Sequence, residues 1–245
     1  MKCLIIHGSP RRGNTWSVLN IAKEEMQKNG DFEFEIIELA KEKIPMCIGC
    51  FNCIAKGEKK CPHNSYIDSI VKKMEESDAF IITSPVYSMQ VSGVLKNFID
   101  HMSYNFHRPK FYNKKVLIIT TTAGAGHTST ANYIKEVMEY WGVNYVQTMP
   151  IAYRSLELSE KNKEKVIKGA KVFSKELNSH KIHQPKLKSL MMFHLWKNSS
   201  KEDGFSIADF EYWSDESLKK GLYYESIPLG VTKKFMAIIL KNLFK

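Results

Sequence analysis

Four of the chain's five cysteines fall within fifteen residues, as Cys47-x2-Cys50-x2-Cys53-x7-Cys61. Thiols repeated at two-residue intervals in a compact loop can offer thiolates to several corners of an iron–sulfur cubane. Structural zinc more often takes two separated Cys-x2-Cys pairs. The same thiols also suit a buried or redox-reactive role without metal. Spacing alone leaves these three chemistries open. A secreted disulfide framework is disfavoured, because its cysteines would be spread to staple distant loops. Lys56, Lys59 and Lys60 beside the cluster would stabilise either thiolates or an anionic cluster. Cys3 lies in an apolar run and reads as core.

A second constellation is Gly8-Ser9-Pro10-Arg11-Arg12-Gly13-Asn14-Thr15, which follows an apolar run and opens a helical pattern. Backbone N–H groups and the positive end of the helix would face an anion there. The hydroxyls of Ser9 and Thr15 and the guanidinium of Arg11 or Arg12 would assist. Its glycines match the outer spacing of a nucleotide-triphosphate loop, but Asn14 stands where that loop needs lysine. The better guest is a single phosphate monoester.

These residues need elements to position them. Apolar strand patterns at 2–7, 32–39, 79–83, 116–120 and 143–151 alternate with helical patterns at 15–28, 66–76, 92–102, 131–141 and 159–177. Residues 40–64 form the cysteine-bearing connection. Strands and helices alternating at this length imply right-handed crossovers and a parallel sheet covered on both faces. The expected fold is α/β: a doubly wound, five-stranded parallel sheet of order 2-1-3-4-5. Ligands in such sheets sit beyond the carboxyl ends of the strands. That rule selects loops 8–15, 84–93 and 121–127. After about residue 180 the rhythm stops. The expected organisation is therefore a domain at 1–180 and a mainly helical C-terminal extension at 181–245, which packs on the body or on a dimer partner.

The chain has 245 residues, 43% hydrophobic and 25% charged, which excludes disorder and collagen-like repeats. No apolar stretch approaches the roughly 18–20 residues that cross a bilayer. The amino-terminal apolar run is too short for a secretory signal, so a cytoplasmic protein is expected. The formal net charge is +10, but the basic residues are scattered, which argues against nucleic acid. The stretch 233–244 is basic and amphipathic. Packing on protein is expected for it in preference to a membrane surface.

Three segments, in order, carry a resemblance: Gly8-Ser9-Pro10-Arg11-x-Gly13-Asn14-Thr15, Ser84-Pro85-Val86-Tyr87 and Thr121-Thr122-Ala123-Gly124-Ala125-Gly126. Together they closely resemble the flavodoxin-like NAD(P)H-dependent FMN reductases. Asn97-Phe98-Ile99-Asp100-His101 and His107-Arg108-Pro109 are also similar to that family, and the resemblance covers about residues 1–180. It implies FMN as cofactor, with Ser9, Arg11, Asn14 and Thr15 holding its phosphate. Pro85, Val86, Tyr87, Ser88, Met89 and Gln90 would line one edge of the isoalloxazine. Thr122, Gly124, Ala125 and Gly126 would approach another. Many relatives carry tryptophan where this chain has Ser88.

The flavin itself would accept hydride from NAD(P)H, so no catalytic side chain is strictly required. His127 is the one candidate, near the flavin or acting on substrate. The cysteines resemble those of the iron–sulfur flavoproteins, a branch of the family that carries a 4Fe–4S cluster beside FMN. On that resemblance Cys47, Cys50, Cys53 and Cys61 are candidate cluster ligands. The leading expectation is an FMN-dependent NAD(P)H oxidoreductase that passes electrons to a small-molecule or protein acceptor. One alternative is an iron–sulfur flavoprotein exchanging electrons with ferredoxin. Another is a non-catalytic flavin-binding or interaction protein. The family's habit implies a homodimer or homotetramer.

Overall fold

The computed structural model describes residues 1–154 and 157–244. Its strands are β1 (Lys2–His7), β2 (Glu33–Glu38), β3 (Ala79–Pro85), β4 (Lys115–Thr122) and β5 (Tyr145–Ala152). All pair in parallel, in the order β2-β1-β3-β4-β5. The order reverses direction between β1 and β3, and the crevice above that reversal is where such sheets take ligands.

Side chains along a strand alternate between faces, and here both faces are apolar because helices cover both. Leu4, Ile6, Phe80, Ile82, Val116 and Ile118 point to one face. There they meet α3 (Asn64–Glu76), α4 (Gly93–His101) and α5 (His127–Tyr140). Cys3, Ile5, Ala79, Ile81, Leu117 and Ile119 point to the other, under α1 (Asn14–Lys28) and α6 (Glu160–Asn178). This alternation explains why the central strands read as continuous apolar runs. Cys3 is fully buried, and burial pushes its thiol up to about 12, so it stays protonated and inert.

The cysteine connection is not wholly irregular. It contains a one-turn helix α2 (Asn52–Ala55) and a 3₁₀ turn (Glu58–Lys60), which its short polar sequence did not announce. Helix α5 begins at His127, one turn before the expected 131. Gly126, at φ +89°, makes the left-handed turn that starts it.

Beyond residue 180 follow α7 (Leu187–Ser199), α8 (Ile207–Trp213), α9 (Glu216–Lys220) and α10 (Val231–Leu243). Residue 245 of the expected extension lies outside the described residues. The extension has a small core of its own, built on Leu190, Phe193, Trp213, Tyr223, Tyr224, Ile227, Ala237 and Leu240. It docks on the body of its own chain. Tyr112 and Tyr224 stack at 3.8 Å, Tyr212 donates to the Pro109 carbonyl at 2.6 Å, and the Trp213 indole donates to the His107 carbonyl at 3.1 Å. Among the described residues no helix is long and apolar enough to cross a membrane.

Candidate functional site

Two cavities lie where the sequence placed chemistry. The first is an open cleft at the carboxyl ends of β1, β3, β4 and β5. Ser9, Arg11, Gly13, Asn14, Thr15, Pro85, Val86, Tyr87, Thr121, Thr122, Ala123 and Tyr153 line it. Of the expected cofactor residues, Ser9, Arg11, Asn14, Thr15, Pro85, Val86, Tyr87 and Thr122 therefore face one space.

The first loop presents an uncapped helix start to the cleft. No side chain caps α1 at Gly13, so the opening N–H groups of this helix are left to a ligand or water. Ser9 closes the turn, its hydroxyl donating to the Arg11 carbonyl at 2.6 Å. Thr15 shares a 2.6 Å hydrogen bond with the Thr121 hydroxyl, which ties this loop to the end of β4. The two arginines are not equivalent. Arg12 forms a two-pronged pair with Glu38, at 2.6 and 3.1 Å, and stacks over Trp16 at 4.3 Å. The hydrogen bond from Arg12, with help from Lys41, holds the Glu38 carboxyl at about 2. Arg11, by contrast, has no carboxylate partner among the described residues and lines the cleft.

The remaining expected residues shape the loops instead of lining the cleft. Tyr87 and Gln90 exchange two backbone hydrogen bonds of 2.9 Å around Ser88 and Met89, whose φ values are +47° and +68°. Two central residues at positive φ define a mirror-type hairpin turn, which usually takes Asn-Gly. Thr130 holds that turn by donating to the Met89 carbonyl at 3.3 Å, and Met89 packs against Gly126. The Thr122 hydroxyl donates to the Ala125 carbonyl at 2.9 Å and accepts from the Gly124 amide at 3.1 Å. Gly124 and Ala125 are thus folded into their own turn. His127 caps nothing with its ring. Burial first, then Lys165 and Arg154, holds its pKa below the ordinary histidine value, so the ring is neutral near pH 7. Tyr153 was missed. It follows β5 directly, and the rule that ligands gather at carboxyl ends would have found it had it been applied to the fifth strand.

The second cavity, of about 310 Å³, is ringed by all four clustered cysteines, with Phe51, His63, Asp100, His101 and Ser103 among its other walls. The loop bearing them is pinned to α4. The Asn97 side-chain amide donates to the carbonyls of Ile44 and Pro45 and accepts from the Cys47 amide at 2.9 Å. His101 Nε2 donates to the Pro45 carbonyl at 2.9 Å, which leaves Nδ1 facing the Cys61 sulfur at 3.8 Å. Burial pushes the Cys53 and Cys61 thiols above their ordinary values. Among the described residues, no three His, Cys, Asp or Glu side chains close to the spacing of a single metal ion. At Zn–S distances near 2.3 Å, tetrahedral thiolates would stand only about 4 Å apart. Four thiols set around a cavity of this size suit a larger, multinuclear group.

Residues 1–154 match the family described as NADPH-dependent FMN reductase. The chain belongs to that family. Membership makes it an NAD(P)H-dependent flavin oxidoreductase with FMN as cofactor, and the uncapped start of α1 and the cleft fit that cofactor. It is similar to an iron–sulfur flavoprotein of Archaeoglobus fulgidus, with 38% identity over 155 residues, 62% of this chain and 67% of that one. An iron–sulfur flavoprotein of Methanocaldococcus jannaschii is 44% identical over 101 residues, 41% of this chain and 51% of its own. The chain thus spans between half and two thirds of the length of these relatives. Among solved structures, the apo form of an NADH:FMN oxidoreductase superposes with a TM-score of 0.56 at 19% identity, covering 74% of this chain and 94% of that one. At that identity the likeness concerns the fold of the FMN reductase.

Proposed function

We propose that this FMN-dependent NAD(P)H oxidoreductase is an iron–sulfur flavoprotein, with Cys47, Cys50, Cys53 and Cys61 as ligands of a 4Fe–4S cluster. The observation that carries the reading is the convergence of these four thiols on one cavity of about 310 Å³. When bound, the flavin supplies hydride acceptance from nicotinamide and release of single electrons, which an iron–sulfur centre can relay. The chain's part is to bind and orient. Arg11, Asn14, Thr15 and the N-terminus of α1 hold a phosphate monoester. Pro85, Val86, Tyr87, Thr122 and Tyr153 enclose the space beside it, and Gly126, at φ +89° against Val86 and Met89, lets its loop fold close. Asn97 and His101 hold the cysteine loop against α4. Anaerobic purification with iron quantification and a visible spectrum tests the reading. About four irons per chain and a broad shoulder beside the flavin bands are expected. Flavin bands without iron would leave only the flavin reductase.

A second reading, a protein electron partner such as a ferredoxin, has its own support. Lys56, Lys59 and Lys60 are exposed beside the cysteine cavity and form no ion pair among the described residues, and the chain carries +10 overall. Such a face attracts an acidic partner, so electron exchange with an acidic ferredoxin should slow by about tenfold or more as ionic strength rises from 0.01 to 0.15 M. A rate indifferent to salt would favour a small-molecule acceptor. Self-association belongs to the same proposal. Val231, Phe235, Ile238, Ile239 and Leu243 leave an apolar stripe of α10 exposed. Light scattering should return a dimeric or tetrameric mass, and a monomer would count against it.

A further inference from the structure

Among the described residues, the most deeply buried Arg and Asp side chains meet where the extension touches the cysteine loop. Arg108 and Asp209 are 3% and 4% exposed. They form an ion pair through Nη1 and Oδ1. The same guanidinium donates to the Ile54 carbonyl at 3.0 Å and to the Cys53 carbonyl at 2.6 Å. Ser206, which caps α8, donates its hydroxyl to the Ile54 carbonyl at 2.7 Å. The second oxygen of Asp209 accepts from His107 Nδ1 at 2.8 Å, and Trp196 stacks on that ring at 3.7 Å. Glu58, between Cys53 and Cys61, accepts from Lys110 at 2.7 Å and lies 3.6 Å from Arg108.

The physical sense is a borrowed cap. Helix α2 has only four residues, too few to hold itself together. Its Cys53 and Ile54 carbonyls are taken up by Arg108 and by Ser206. Arg108 in turn is aimed and neutralised by a carboxylate from the extension, 101 residues away. A guanidinium this deep needs that counter-charge. We infer that Asp209 is a positioning residue for the cysteine loop: the C-terminal extension clamps the turn that carries Cys53. The consequence for a cluster rests on the iron–sulfur reading, whereas the clamp on the thiol does not.

The test compares full-length protein with its Asp209→Asn variant. In reduced, iron-free protein, Cys53 and Cys3 are both buried thiols, and their alkylation by iodoacetamide can be followed separately by peptide mass spectrometry. Asp209→Asn should speed alkylation of Cys53 by at least about tenfold while leaving Cys3 unchanged. An unchanged Cys53 rate overturns the proposal, and so does equal acceleration of both thiols, which would mean general unfolding. Ser206→Ala removes one donor to Ile54 together with the cap of α8 and keeps both side chains of the ion pair. It should accelerate Cys53 selectively but less, and it decides the matter if the Asp209 variant does not fold. In protein loaded anaerobically with iron and sulfide, Asp209→Asn should lose iron to a chelator at least about tenfold faster, with FMN stoichiometry unchanged. If the parent protein takes up no iron, the cluster reading fails and the thiol comparison still decides the clamp. If it holds iron while both rates are unaltered in the variant, the clamp fails and the cluster reading stands.

Discussion

Arg11 and Arg12 are adjacent in the chain yet opposite in circumstance. Arg12 is spent on Glu38 and Trp16, whereas Arg11 has no carboxylate and lines the cleft. A charge-assisted hydrogen bond to phosphate is worth about 1.5–3 kcal/mol. Arg11→Gln should therefore weaken FMN binding by roughly ten- to hundredfold and leave riboflavin binding nearly unchanged. Arg12→Gln should weaken FMN by less than about threefold. Calorimetry with both ligands checks this, and equal losses from the two variants would remove Arg11 from its role. The contiguous loop 8–15 and its family resemblance made Ser9, Arg11, Asn14 and Thr15 legible in the sequence, but the reason Arg12 stands aside was not. Only the pairing of β1 with β2 brings Glu38 beside one of them.

Ser92 shows how one side chain fastens several elements. Its hydroxyl caps α4 by accepting from the Leu95 amide and donates to the Gly8 carbonyl, while its amide donates to the Ser84 hydroxyl at 3.1 Å. The phosphate loop, the end of β3 and the start of α4 are thus held together by a residue only 1% exposed. Gly8 runs so close to β3 that a Cβ would lie 2.7 Å from the Thr83 carbonyl oxygen. Ser92→Ala should cost about 2 kcal/mol, from the lost cap and an unpaired buried carbonyl, and Ser92→Thr should recover most of it. Urea unfolding measures both, and a cost below about 0.5 kcal/mol for the alanine would contradict this account. The helix start at Ser92 could be read from its spacing. The bond to Gly8, across 84 residues, could not.

At the scale of the whole molecule, the extension carries a pH liability. His194 is fully buried in its core, and neither ring nitrogen meets a partner at hydrogen-bond geometry, although the nearby Leu222 backbone opposes the effect slightly. Burial, reinforced by Lys197, lowers its pKa from 6.5 to about 4. Above pH 6.5 the ring is neutral in folded and unfolded chains alike. As pH falls, the unfolded chain takes up the proton first, so stability drains away between about 6.5 and 4. The loss amounts to about 3 kcal/mol in full. Replacing His194 by leucine should flatten that part of the pH profile. Tryptophan-monitored urea unfolding at pH 7 and 4.5 checks it, and identical pH slopes for parent and variant would refute it.

What the sequence determined by itself was whatever depends on near neighbours. Alternating apolar runs and helical periods pointed to five parallel strands, which suit a doubly wound sheet of order 2-1-3-4-5. A phosphate loop ahead of Thr15 and a cluster of thiols at 47–61 were likewise written in short stretches. The tertiary structure alone decided which groups meet across long separations: Tyr153 in the cleft, Glu38 on Arg12, and Asp209 behind the guanidinium that holds the Cys53 turn. The reason is physical. Local patterns follow from backbone geometry and the apolar period, whereas a buried ion pair or a shared cavity exists only once packing has brought distant segments to the same few ångströms.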